Sequence, residues 1–267
     1  MTALAGALAD LVLPGACAGC GAERVPLRFA VCADCAAALE ALVPHPTAPE
    51  PPPAGLPPCT ALGPYAGPLR GVLLGYKEKG RHRLAGPLGA LLAAAVATAA
   101  TRAGGGPGVP VVVVPVPSTA RAVRERHGDH MSRLGRHAVR RLRRAGWRAQ
   151  IRRPLRVTPR PDSASLDPAG RVAAAESSLR IRPARIRDLR RDPTIRRTLV
   201  VVDDIVTTGA TLAAATTRLR EANVQVAGAA VLAATRLRRT PPGDLRYLPP
   251  GGSASAFRHP IGSPNEG

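Results

Sequence analysis

Aromatic residues are scarce: two Phe, three Tyr and one Trp make up 2% of the 267 residues. A surface that stacks on splayed bases is therefore poorly supplied. Lysine is almost missing too. Only Lys77 and Lys79 stand among 38 basic residues, the rest being arginine, and acidic residues number 18, which leaves a net charge of +20. Such an excess points first to nucleic acid or an anionic membrane surface. The accompanying crowd of Ala, Pro and Gly reads as the bias of a GC-rich coding sequence, so part of the charge needs no functional reason. No run of 18 or more apolar residues is free of a polar break; the nearest, Leu84 to Ala100, is alanine-rich and interrupted by Pro87, so membrane insertion is not expected. The first residues lack a basic start and contain Asp10, which argues against a secretory signal. A cytoplasmic location is expected.

What is present is enough for one α/β domain and a small appendage. Residues are 45% hydrophobic, and a chain of this length stands without disulfides. Four of the five cysteines, Cys17, Cys20, Cys32 and Cys35, form a C-x2-C-x11-C-x2-C pattern. Two such knuckles can close the coordination sphere of one Zn2+ ion with four sulfurs, leaving no open position, so the zinc is expected to be structural. Two redox or disulfide pairs are the competing reading. Cys59 stands alone and reads as a small buried residue, and His45 is a spare ligand that four cysteines make unnecessary.

Leu4, Leu8, Leu11 and Val12 at helical spacing, stopped by Pro14 and Gly15, predict a short helix ahead of the cysteines. Residues 1–43 are thus expected to be a helix and zinc-knuckle module. PHPTAPEPPPAGLPP, Pro44 to Pro58, reads as an extended linker over 44–58. Residues 59–239 are expected to be the main domain, and 240–267, rich in Pro, Gly and Ser, a disordered tail. Within the domain the pattern predicts a strand over Cys59–Tyr65, a helix from Pro68 to Tyr76 and a second helix from Leu84. A buried strand over Val109–Val116 and a basic helix of about twenty residues to Trp147 follow. A mobile loop is expected over 158–177, then a strand at Leu199–Val202, a helix at Ala210–Ala222 and a strand over Val224–Ala234. Strand, helix, strand in that order requires a parallel crossover.

The chemistry concentrates in Leu199-Val-Val-Val-Asp-Asp-Ile-Val-Thr-Thr-Gly-Ala-Thr211. Asp203 and Asp204 follow a buried strand, at the end where open α/β sheets bind ligands. Thr207, Thr208, Gly209, Ala210 and Thr211 then open a helix. Small residues let backbone N–H groups surround an anion, hydroxyls add donors, and the helix N-terminus favours negative charge. The loop suits a phosphate monoester. Two carboxylates beside it would repel that phosphate unless they met hydroxyls, which describes a ribose 5-phosphate site. An Asx turn with an ordinary helix cap is the simpler alternative, and it would need only one of these residues. The loop has no lysine, so a Walker-type nucleotide site is disfavoured.

VVVDDIVTTGAT resembles the phosphoribosyl pyrophosphate (PRPP) signature of type I phosphoribosyltransferases. The four-cysteine knuckle, YAGPLRGVLLGYKEKG and VVVVPVPSTARAVRERHG further resemble the ComF, competence-associated, branch of that family. The resemblance spans roughly residues 10 to 235. It implies a parallel sheet flanked by helices, with Asp203 and Asp204 on the ribose hydroxyls and Thr207 to Thr211 on the 5-phosphate. It also implies a short loop, Pro115, Val116, Pro117 and Ser118, that receives pyrophosphate through its N–H groups and the serine hydroxyl. Mg2+ bridging pyrophosphate and ribose oxygens is implied, as is displacement of pyrophosphate from the anomeric carbon by a nucleobase nitrogen. The second class of function it implies is a non-catalytic PRPP-binding or DNA-uptake accessory protein that uses its basic face on single-stranded DNA or the competence machinery.

The chain departs from that pattern in two places. Relatives often read as an Arg-Gly-Phe-Asn-Gln-like stretch where this chain has Arg126-His-Gly-Asp-His130, which makes Asp129 and His130 the polar pair there. The expected mobile loop keeps Arg171 but carries Pro161-Asp162 and Ala174-Ala175 where a Gln and an Asn are common. These changes remove amide groups near the base or pyrophosphate and bear on turnover more than on PRPP binding. Residues 121–197 hold 23 Arg against 7 acids. A solvated helix face, a wall that concentrates anionic PRPP, or a nucleic-acid contact would each account for them. His127, His130 and His137 read as surface histidines rather than metal ligands.

Overall fold

The computed structural model describes residues 15–125, 128–158, 178–190 and 197–235. The helix expected over 4–12, His127, the expected mobile loop from residue 159 onward with Arg171, and the tail from Thr240 lie outside them.

A six-stranded sheet organises the chain. Its strands are β1 (His45–Thr47), β2 (Cys59–Pro64), β3 (Val111–Pro115), β4 (Ala149–Ile151), β7 (Thr198–Val206) and β8 (Gly228–Ala234), in the order β1-β2-β8-β7-β3-β4. Every pairing is parallel except β1 with β2. A separate antiparallel pair, β5 (Leu155–Val157) with β6 (Leu179–Ile181), flanks it. The β-branched runs are buried on both faces as their continuous apolar character requires. Val111 and Val113 enter the core on one side of the sheet, Val112 and Val114 the core on the other.

The first face is covered by α2 (Gly67–Glu78), α3 (Ala85–Arg102) and α5 (His130–Arg144). His82–Arg102 is long and apolar enough to cross a membrane, its most apolar 18 residues averaging a hydropathy of 1.7, yet 67% of those are buried inside the fold, where Leu88, Leu92 and Val96 share one core with Val200 and Val202. The second face is covered by α7 (Ala210–Glu221), through Leu212 and Leu219, and by Ile186 and Leu189 of α6 (Pro183–Arg190). The helix expected to run from the loop after β3 to Trp147 is two helices, α4 (Ala120–Glu125) and α5. Gly128 sits at φ +137, and the Asp129 carboxylate accepts from the Ser132 N–H at 2.9 Å, so a new helix is capped where the first cannot continue.

The cysteine segment, with α1 (Ala33–Glu40), is not an appendage with a core of its own. Cys17, Cys32, Cys35 and Leu39 share one cluster with Leu69, Val72 and Leu88. Contact is backbone to backbone: a Cβ on Gly71 of α2 would collide with the carbonyl oxygens of Ala18 and Gly19. Only glycine lets the knuckle lie that close. The segment 44–58 is extended only in part, with bends at Glu50 and Pro51 and a turn at Ala54–Gly55, and it runs along the sheet. His45–Thr47 pairs antiparallel with β2. Further along, Pro49 and Leu56 lie against the loop that precedes α7.

Candidate functional site

The site forms where β3 and β7 lie side by side. From β3 the chain turns outward to β4 through helices on one face; from β7 it returns through α7 on the other face to β8. The two connections leave in opposite directions, and that switch point, beyond the carboxyl ends of the strands, is where open α/β sheets bind ligands. A concavity lies on the β7 side of it, lined by Asp203, Ile205, Val206 and residues Thr207, Thr208, Gly209, Ala210, Thr211 and Leu212; none of Pro115, Val116, Pro117 and Ser118 is among its lining residues. The loop expected to hold phosphate is therefore one wall of an open hollow. Gly209 takes φ +73 at the start of α7, a left-handed turn that glycine adopts without strain. A Cβ there would meet Leu56 at 3.1 Å and Pro49 at 3.2 Å. The proline-rich segment thus closes the outer side of the loop, a role its composition did not announce.

β7 continues past Val202 to Val206, so both acids lie within the strand. Consecutive strand residues point to opposite faces, and the pair is divided accordingly. Asp203 lines the hollow, half-buried, and its Oδ1 accepts the Asp204 N–H at 2.9 Å. Asp204 turns to the other face, is buried, and is not among the residues lining the hollow. Its Oδ2 lies 2.9 Å from Lys77 Nζ on α2 and 3.1 Å from His130 Nε2 at the start of α5. The electrostatics differ as sharply. Burial and the negative charge of Asp204 raise the carboxyl of Asp203 well above its ordinary range. Burial works the same way on Asp204, but the His130 hydrogen bond and the Lys77 ammonium outweigh it and hold that carboxyl below the usual range.

Of the loop expected to receive pyrophosphate, Pro115 and Val116 are buried and Pro117 and Ser118 half-buried. Proline has no N–H, and the Val116 N–H is taken by the Val202 carbonyl at 2.9 Å. The donor left from that expectation is Ser118, whose Oγ lies 3.2 Å from His130 Nδ1. His130 is not a surface histidine: it is buried between Ser118 and Asp204, and its carbonyl accepts from the Tyr76 hydroxyl at 3.1 Å. Asp129, the other residue of that polar pair, caps α5. His137 is half-buried on the same helix, where burial and three arginines, Arg140, Arg136 and Arg133, press its pKa down to about 4. Lys77, paired with Asp204, is the residue of this cluster that sequence reasoning missed. Its signal was rarity, since a chain that uses arginine almost everywhere keeps lysine at two positions.

The four cysteines converge. The Sγ atoms of Cys17, Cys20, Cys32 and Cys35 lie within 4.8 Å of one another, and Cys20 to Cys32 is 3.8 Å. Four sulfurs at about 2.3 Å from one zinc are separated by about 3.8 Å, so the set fits a tetrahedral ion. All five cysteines are free thiols, and the approach of four to one centre favours a single metal over two disulfide pairs. Backbone N–H groups of Gly19 and Cys32 donate to Cys17 Sγ at 3.3 and 3.2 Å, and Ala22 N–H to Cys20 Sγ at 3.5 Å. Burial pushes the Cys17 thiol up, and backbone donors from Cys20, Cys32 and Gly19 overcome it, bringing it to about 6. Such donors suit thiolate ligands. Among the described residues this is the one cluster of His, Cys, Asp or Glu able to hold a metal; His45 instead meets the Val43 carbonyl at 3.0 Å. Cys59 is buried as expected, its thiol donating to the Pro57 carbonyl and pushed up to about 12 by burial.

No curated protein matches the chain. The family model described as the phosphoribosyl transferase domain matches residues 89–248. That stretch takes in β3, β7, the acidic pair, the Thr207–Thr211 loop and α7, and it is more than half of the sequence. On that match the chain belongs to the phosphoribosyl transferase domain family.

Proposed function

We propose that this is a ComF-type phosphoribosyltransferase that binds PRPP in the hollow beside β7 and transfers its phosphoribosyl group to a nucleobase. The observation that carries the reading is the meeting, in one concavity, of a carboxylate and a small-residue helix N-terminus. The N-terminal N–H groups of a helix have no intrahelical partners and attract phosphate. In this reading Thr207 to Thr211 hold the 5-phosphate and Asp203 accepts from the ribose hydroxyls. Ser118 meets the pyrophosphate. Asp203 is a hard oxygen ligand of the kind Mg2+ takes, and when bound the ion would neutralise charge on pyrophosphate as it departs. The protein's share of catalysis is to fix the anomeric carbon against the incoming base nitrogen and to exclude other geometries. The zinc is structural, and the protein works in the cytoplasm.

A screen of nucleobases for pyrophosphate release from Mg-PRPP tests the transfer. One base should release it, and Gly209→Val, which fills the loop and collides with Leu56 and Pro49, should lower that rate at least 100-fold. Release unchanged in the variant would place the phosphate elsewhere.

One observation favours a second role for the same molecule. Arg136, Arg140, Arg143, Arg144 and Arg148 are exposed along and just beyond α5, and α5 carries no acidic residue. In this reading the strip accepts single-stranded DNA in the competence machinery, with an affinity that falls steeply with salt.

A further inference from the structure

The division of the acidic pair leaves Asp204 without access to the hollow, yet ionised and buried. Its two side-chain partners come from two helices, and a third element is reached through one of them. Lys77 Nζ reaches it from α2 at 2.9 Å, His130 Nε2 from α5 at 3.1 Å, and the other nitrogen of the same ring meets Ser118 Oγ, in the loop after β3, at 3.2 Å. The neighbouring Tyr76 hydroxyl donates to the His130 carbonyl at 3.1 Å, so two successive residues of α2 hold His130, one through its main chain and one through the carboxylate it shares. The chain Lys77–Asp204–His130–Ser118 therefore runs from a helix, through the central strand, to the one side-chain donor that the Pro115–Ser118 loop presents.

We propose that Lys77 and His130 are positioning residues for the pyrophosphate end of the ligand, with Asp204 as the latch between them rather than a sugar ligand. The inference rests on the reading of the hollow as a PRPP site. Two physical demands support it. A bare carboxylate behind a site for a polyanion would repel it, and the Lys77 ammonium offsets that charge from the side the ligand does not occupy. A serine hydroxyl on a loop also rotates freely unless something fixes it, and His130, itself fixed by Asp204, sets its direction. The sugar 5-phosphate end, at Thr207–Thr211, takes no part in this chain of contacts.

That asymmetry is measurable on the full chain with two separate probes, inorganic pyrophosphate with Mg2+ and ribose 5-phosphate. Lys77→Met, His130→Ala and Ser118→Ala should each weaken pyrophosphate binding about tenfold or more while changing ribose 5-phosphate binding less than twofold. His130→Ala combined with Ser118→Ala should be no weaker than His130→Ala alone, because both act through one chain of contacts. Two rescues separate positioning from mere structural damage. Lys77→Arg keeps the charge and should recover part of the loss; adding Asp204→Asn to Lys77→Met removes the stranded carboxylate and should restore pyrophosphate affinity. Equal losses for both probes, or no rescue by Asp204→Asn, would overturn the proposal while leaving PRPP binding standing. Failure of the wild type to bind either probe would overturn the PRPP reading and this proposal with it.

Discussion

Replacing Cys17 with serine should release the zinc and cost the protein its N-terminal module. Metal analysis should fall from about one zinc per chain to almost none, since a hydroxyl is a poor substitute for a thiolate on Zn2+. Structural zinc sites contribute about 10–16 kcal/mol of apparent binding free energy, which in a small module is folding free energy. The effect should not stay local. Cys17 is buried in the same core as Leu69, Val72 and Leu88, the backbone of Ala18 and Gly19 rests on Gly71, and Arg81 Nη1 donates to the Ala16 carbonyl at 2.7 Å. Losing the knuckle strips one side of α2, so calorimetric melting should drop by about 10 °C or more, corresponding to several kcal/mol. Limited proteolysis should then open residues 15–43 first. A Cys17→Ser protein that keeps its melting temperature without metal would show that the cysteines are not a structural centre.

Asp203→Asn should produce the opposite signs in stability and in binding. The residue is held where burial and the Asp204 charge oppose its ionisation. The folded protein keeps a proton on Asp203 at pH values where the unfolded chain has released it. Stability attributable to this residue therefore falls as pH rises from the ordinary carboxylate pKa, about 4, until Asp203 itself ionises. Asparagine carries no charge and has no such slope. The variant should melt higher than wild type at pH 8, by an amount on the order of 1 kcal/mol or more, and the gap should close toward pH 4. Binding should move the other way. Above about pH 8, where Asp203 is ionised, hydrogen bonds to a charged acceptor are worth about 1.5–3 kcal/mol each, so losing the carboxylate that meets the ribose hydroxyls should weaken PRPP about 100-fold there. A stabilised variant that binds as wild type does would remove Asp203 from the site.

The parts of this molecule set by local pattern were readable in the sequence. Val111–Val114 and Leu199–Val202 announce buried parallel strands because a run with no polar alternation fits no other place in a sheet. The small residues and hydroxyls of 207–211 announce the opening of a helix, which begins at Ala210, and the loop lines an open hollow. What escaped notice depends on contacts between distant residues. That β7 runs on to Val206, and so splits Asp203 from Asp204, follows from pairing with β8 at Ile205 and Val206. Lys77 and His130 meet Asp204 from 127 and 74 positions away in a packing that no spacing encodes. The proline-rich segment reads as a linker because its composition specifies extension, while its place beside Gly209 is decided by Pro49 and Leu56 packing against that loop.

Calorimetric titration of the full chain with Mg-PRPP tests the central claim most directly. Saturable one-to-one binding is expected, competed by ribose 5-phosphate and lost in Asp203→Asn. Titration without saturable heat, or an Asp203→Asn isotherm that overlays the wild type, would contradict it.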